Sequence, residues 1–204
     1  MKQVCATAES IARRGLATAV LSLLLAIEAP GAGAAAAFKA GTFDPPRPAP
    51  DFSLQGSDGN ELRIDRFRGK VVLLAFGYSS CTEVCPVTLA TFAQARRKLG
   101  AGAADVQVVY VTVDPQRDVP ERLKKFLGGF DDTFIGGTGT EAQLAAVRQE
   151  YGVTARKLSN ENGYSYAHSS FTYLIDRRGQ IRALMPYGHS ADDYVNDLTI
   201  LLRE

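Results

Sequence analysis

Val71-Val72-Leu73-Leu74-Ala75-Phe76 is an unbroken apolar run opened by Gly69-Lys70 and closed by Gly77. A run of this kind is what a strand buried on both faces of a sheet requires, so the chain must supply cover on each side of it. The next residues narrow the fold further. Gly77 to Glu83 read as a loop that carries Cys81-Thr-Glu-Val-Cys85-Pro86, and Pro86 suits a helix's first turn because it presets φ there without losing a hydrogen bond. A helix is therefore expected from about Cys85 to Leu99, with Val87, Leu89, Ala90, Phe92 and Ala93 as its buried side. Val106 to Val113 is a second apolar strand, and the helix between makes a strand-helix-strand unit with a right-handed parallel crossover.

The flanking segments complete the layout. Phe52 to Leu54 and Glu61 to Ile64 lie either side of Asp58-Gly59, a pair that tolerates positive φ and so suits a tight hairpin turn. Asp118-Val-Pro-Glu121 reads as N-cap to N3 of a helix ending at Gly128-Gly129, and another helix is expected from about Thr140 to Tyr151. Ser169 to Ile175 and Gln180 to Met185 read as strands joined at Asp176-Arg-Arg-Gly179. A last helix follows from about Ser190, with Asp193 completing a capping box. The fold class expected is α/β: a thioredoxin-like three-layer sandwich with a central mixed sheet and an N-terminal hairpin extension.

Three stretches divide the chain. Residues 1–36 place Lys2, Arg13 and Arg14 before an apolar core from Gly15 to Ile27, with Ala34-Ala35-Ala36 as an A-x-A cleavage site. The core is shorter than the roughly 20 residues that cross a bilayer, so an export signal is the expectation and an uncleaved anchor the alternative. Residues 37–48, rich in proline, read as an extended tether, and residues 49–204 as one domain. Export suggests a bacterial periplasm, where thiols tend to be oxidised unless something reduces them. The net charge of +1 comes from dispersed residues and leaves no electrostatic footprint for nucleic acid or an anionic membrane.

Cys5 lies in the removable segment, so the mature chain keeps only Cys81 and Cys85. Their loop sits at the carboxyl end of a central strand and the amino end of a helix, where unpaired N–H groups and the helix dipole favour thiolate. A thiolate pair there either grips a soft metal or cycles electrons. A structural disulfide is the plainer alternative, but a bridge between residues so close in sequence constrains the unfolded chain little.

The segments Ala49-Pro50-Asp51-Phe52, Gly69-Lys70, Phe76 to Pro86, Asp114-Pro115-Gln116-Arg117-Asp118, and His168-Ser169-Ser170 with Tyr173-Leu174-Ile175 resemble the Sco/SenC family in kind and in order. The resemblance covers the chain from about residue 49 to its end. It implies a thioredoxin-like fold, a copper site made from Cys81, Cys85 and His168, and a role in assembling cytochrome c oxidase. Where many members carry Asp before the histidine, this chain has Ala167, a difference that bears on whether a carboxylate supports the imidazole.

Chemistry agrees with that set without selecting it alone. Two thiolates and one imidazole suit three-coordinate Cu(I) and admit Cu(II), while the same donors can hold zinc with a position open to water. Asp118 is expected to cap its helix and Arg117 to pair with a carboxylate; Met185 reads as core and His189 as an exposed loop residue. Tyr78, Tyr164 and Tyr166 are candidates to line the site.

Three functions are weighed. The leading one is a copper metallochaperone delivering Cu(I) or Cu(II) to the copper-bearing subunit of cytochrome c oxidase, with other periplasmic copper chaperones or thiol reductants as partners. The second is a thiol-disulfide reductase that uses Cys81 and Cys85 to keep the acceptor's cysteines reduced. Three residues between the cysteines, and no proline just before the Ser169 strand, count against it. A peroxidase is the third, supported only by Ala49 to Phe52 and Gly69-Lys70.

Overall fold

The computed structural model of the protein describes residues 37–161 and 163–204; the proposed export segment, 1–36, lies outside the described residues. In chain order the elements are β1 (Gly41–Pro48), β2 (Leu54–Gly56), β3 (Glu61–Leu62), β4 (Val71–Gly77), α1 (Val84–Leu99), β5 (Val106–Thr112), α2 (Pro120–Gly128), β6 (Ile135–Thr138), α3 (Glu141–Tyr151), β7 (Ala155–Asn160), β8 (Gly163–His168), β9 (Phe171–Ile175), β10 (Gln180–Pro186) and α4 (Ala191–Arg203). Among the described residues no helix is long and apolar enough to cross a membrane.

Eight strands form one mixed sheet in the order β1-β10-β9-β4-β5-β6-β2-β3, and β7 and β8 make a separate antiparallel pair. Every residue of β4 and β5 is buried, as the apolar runs require. Each Leu or Val so removed from water contributes about 1.5–3 kcal/mol. Helix α1 packs against α4, where Phe92 meets Tyr194 edge-on with ring centroids 5.1 Å apart. Helix α2 lies on β6, and Gly136 makes this closeness possible: a Cβ there would stand 2.9 Å from the Leu123 Cβ. The arrangement is the expected thioredoxin-like α/β sandwich, with the β2–β3 hairpin extending one edge.

The expected helices α1 and α3 start within a residue or so of prediction, the expected capping box on α4 forms, and α3 carries one as well. Thr140 accepts from the Gln143 N–H at 3.2 Å while Gln143 accepts from the Thr140 N–H at 2.9 Å, and Ser190 and Asp193 do the same for α4. Helix α2 departs from expectation. Its N-cap is Val119, with Pro120 as first helical residue, and Asp118 turns its carboxylate inward instead of capping.

Three further segments were not expected as strands. The proline-rich stretch is extended, but Gly41–Pro48 pairs with β10 as an edge strand, its ladder interrupted between Thr42 and Arg47 where Pro45 and Pro46 offer no N–H. It is also pinned just before that strand, because Asp197, fully buried on α4, accepts from the N–H groups of Lys39 at 2.7 Å and Ala40 at 2.9 Å. Ile135–Thr138 joins β5 and β2, and Ala155–His168 forms the β7–β8 hairpin.

Topology gathers chemistry at one end of the sheet. Strands β4 and β5 run parallel, so the loops after both emerge together, and the Val113 N–H donates to Gly77 O at 2.7 Å. Strand β9 runs antiparallel to β4, so the segment that enters it, His168 to Ser170, arrives at that same end. Strand β10 leaves there too, carrying Tyr187 to His189.

Candidate metal centre

The cysteine loop hangs on Asp118. This carboxylate has no exposed surface and accepts from the Ser79 N–H at 2.9 Å, from Thr112 Oγ1 at 2.6 Å, and from the Ser79 hydroxyl. Arg122 reaches over from the first turns of α2 and donates to Ser79 Oγ at 2.7 Å and Ser80 Oγ at 3.0 Å. A buried carboxylate with this many donors is satisfied by the loop it shapes, which explains why it does not cap α2.

Within that loop the two thiols differ. Cys85 is 3% exposed on the first turn of α1, whereas Cys81 is half-exposed. Burial opposes ionisation of Cys81, but the Cys85 N–H, 3.4 Å from Cys81 Sγ, the Cys85 thiol and the N–H groups of Glu83 and Val84 outweigh it. The Cys81 thiol therefore ionises more readily than usual. For Cys85 burial dominates, and although the Tyr110 hydroxyl and the Tyr78 N–H favour the thiolate, its pKa is pushed up to about 12. The result is one accessible, readily ionised sulfur and one sequestered neutral thiol.

His168 closes the site from the end of β8. Its Nδ1 lies 2.9 Å from Ser169 O, and since a carbonyl can only accept, Nδ1 carries the proton. That leaves the Nε2 lone pair facing Cys85 Sγ at 3.7 Å. Burial keeps the ring's pKa below its usual value, so it stays neutral. The support that Ala167 cannot give as a carboxylate thus comes from a backbone carbonyl. Tyr78 stands edge-on to the ring at 6.0 Å, and Tyr166 and Tyr164 continue the contact at 5.8 and 6.0 Å.

The hairpin that bears His168 hangs on Asp114, which is also without exposed surface. Asp114 pairs with Arg117 and accepts from Tyr164 Oη at 3.0 Å. Arg117 in turn donates to Tyr164 O at 3.1 Å and lies 3.9 Å above the Tyr164 ring. Lys157 stacks on that ring as well, at 3.6 Å. Arg117 therefore pairs with a carboxylate as expected, and in doing so ties the hairpin down.

Cys85 and His168 share a cavity of about 270 Å³ with Val87, Phe171, Tyr187 and His189. His189 is half-buried on its wall, not exposed in a loop, and its Nδ1 lies 3.4 Å from the Asp193 carboxylate. Met185 is fully buried core, as its strand position indicated. The structure thus brings Cys85 and His168 together and sets Cys81 against the Cys85 backbone. Among the described residues no three His, Cys, Asp or Glu side chains converge as a closed metal cage. Sequence reasoning missed the buried carboxylates' roles and Tyr110, which reads as ordinary strand core.

The SCO1/SenC family matches residues 41–203. The chain is 36% identical over 132 residues to an SCO2-like protein of Rickettsia prowazekii, spanning 63% of this chain and 64%, less than two thirds, of that relative. It is similar to solved structures of Sco1 from Thermus thermophilus in the apo form (TM-score 0.74, 33% identity, 83% of this chain and 99% of that one). It is similar also to copper-bound ScoI from Bradyrhizobium japonicum (TM-score 0.70, 30% identity, 75% and 98%).

Proposed function

The chain belongs to the SCO1/SenC family, and from that premise we propose that it binds one copper ion through Cys81, Cys85 and His168 and delivers it to the copper-bearing subunit of cytochrome c oxidase. The observation that carries the residue assignment is the fixed tautomer of His168, whose Nε2 lone pair meets Cys85 Sγ at 3.7 Å beside a helix N-terminus. Thiolates select Cu(I) over harder ions, and an imidazole lets the same set admit Cu(II). Cys81 is the sulfur an incoming ion meets first, because it is the more exposed of the two and readily ionised. Cys85 and His168 then supply the buried donors, the Cys85 proton leaving as the metal binds. Release follows by ligand exchange at the same open side. We place the protein outside the cytoplasm, held by residues 1–36 or freed from them.

Anaerobic copper titration of the reduced protein with X-ray absorption tests this. One copper per chain, bound by two sulfurs and one nitrogen, is the expected result; no stoichiometric copper overturns it. The uneven thiols favour a second reading, thiol-disulfide reduction of the acceptor, with Cys81 attacking and Cys85 resolving. Turnover of a disulfide in the acceptor's copper site by the reduced protein tests that reading.

A further inference from the structure

Most buried tyrosine hydroxyls in this protein have partners. Tyr151 donates to Pro50 O at 2.6 Å, Tyr173 to Tyr151 O, and Tyr194 shares a 2.9 Å bond with Thr172. Tyr110 differs: it is 1% exposed, and its hydroxyl has no hydrogen-bond partner among the described residues. A native fold seldom leaves such a group unpaired.

Tyr110 lies on β5, in register with Ala75 of β4, and its ring rests against Phe126 of α2 at 6.2 Å. Gly77 shows where the hydroxyl is directed. A Cβ at Gly77 would stand 2.1 Å from Tyr110 Oη and 2.8 Å from Cys85 Sγ, so both atoms occupy the space around one missing methyl group. Tyr110 also borders the cavity that holds Cys85 and His168. The hydroxyl and the sulfur thus border one space, left open because residue 77 is glycine.

A neutral thiol is a weak acceptor, which accounts for an unpaired hydroxyl beside it; a thiolate is a strong one. We propose that Tyr110 is a positioning residue for the copper-bearing sulfur, donating a hydrogen bond to Cys85 Sγ when that sulfur is a metal-bound thiolate and so biasing the site toward Cu(I). The bond withdraws charge from the sulfur, and a less electron-rich thiolate stabilises Cu(II) less than Cu(I). Tyr110 neither gains nor loses a proton or an electron in this role. The inference rests on Cys85 being a copper ligand.

The test compares Tyr110→Phe with Tyr194→Phe; Tyr194 borders the same cavity, but its hydroxyl is bonded to Thr172. In Tyr110→Phe the sulfur-to-Cu(II) absorption should move to longer wavelength and the Cu(II)/Cu(I) potential should fall. Cu(I) affinity, read by competition with a colorimetric chelator, should drop about tenfold or more, as expected for loss of a hydrogen bond to a charged group. In Tyr194→Phe the band should stay in place. Proton NMR of the Cu(I) protein should show a slowly exchanging Tyr110 hydroxyl that the metal-free protein lacks. A copper-loaded Tyr110→Phe protein with band, potential and affinity unchanged overturns the tyrosine proposal alone. A wild-type protein that binds no copper overturns the ligand assignment, and this inference with it.

Discussion

Asp114 and Asp118 leave the same short segment, are equally buried, and hold opposite halves of the site. Asp118 grips the cysteine half through hydroxyl and backbone donors that belong to, or directly adjoin, the main sheet: Thr112 ends β5 and Ser79 follows β4. Asp114 grips the histidine half at one remove, through Arg117 and Tyr164, onto a hairpin that is not hydrogen-bonded into the main sheet. Cys85 is therefore built into the fold's core and the loop that carries half-exposed Cys81 is clamped to it, while His168 is fastened by half-exposed stacked side chains. In the proposed copper site, ligand exchange is expected at half-exposed Cys81 and at His168, with buried Cys85 released last.

The severest way to break the contrast is Cys85→Ser, which should abolish tight Cu(I) binding outright in a chelator competition titration. Retained affinity would mean that the sulfur half is not the anchor. Next comes Asp118→Ala, expected to cost about 3 kcal/mol in chemical denaturation because it strands the donors of fully buried Thr112 and part-buried Ser79. A loss below about 1 kcal/mol would show that the cysteine loop holds its shape without the clamp. His168→Ala should weaken copper binding less than either cysteine change. X-ray absorption should then show two sulfurs retained and the nitrogen gone, and loss of a sulfur as well would deny the independence of the halves.

Tyr164→Ala should cost only about 1 kcal/mol, the scale of a part-exposed cation–π contact. Its effect should appear as altered nitrogen coupling in the Cu(II) EPR spectrum with the sulfur signature intact. The smallest expected effect is a pH slope. Burial holds the His168 pKa below the ordinary 6.5, so as pH falls below 6.5 the unfolded chain takes up this proton before the folded one. The stability due to neutral His168 is present above pH 6.5 and declines as pH drops toward the folded-state value. Denaturation midpoints of His168→Gln should lose that part of the slope, and an unchanged slope would place the ring in solvent.

The sequence was most readable where one principle acted alone. Val71 to Phe76 and Val106 to Val113 had to be buried strands because nothing polar interrupts the first and little interrupts the second, and Cys81, Cys85 and His168 were marked by chemistry and by a family's order of motifs. Legibility failed where local signals were weak or competed. Ile135-Gly-Gly-Thr138 has no apolar periodicity, since its glycines are there to admit Leu123 and Leu62. The β7–β8 hairpin is largely polar because much of it stays partly exposed, so no alternation announced it. Asp118 stood where an N-cap belongs, but the loop's donors won its carboxylate, and only the tertiary structure reveals that competition. Proline in Gly41–Pro48 argued against a strand, correctly for an interior position and wrongly for an edge.

That edge bears on how other molecules can approach. One margin of the sheet is β1, whose Pro45, Pro46 and Pro48 have no N–H to offer, and the other is β3, only two residues long. Both margins are thus poor templates for a further strand. A partner is expected to recognise this protein end-on, at the loop surface where Cys81 and His168 sit. Choosing the partner and handing over the cargo would then be a single event on one patch, and a substitution that changes one should change the other.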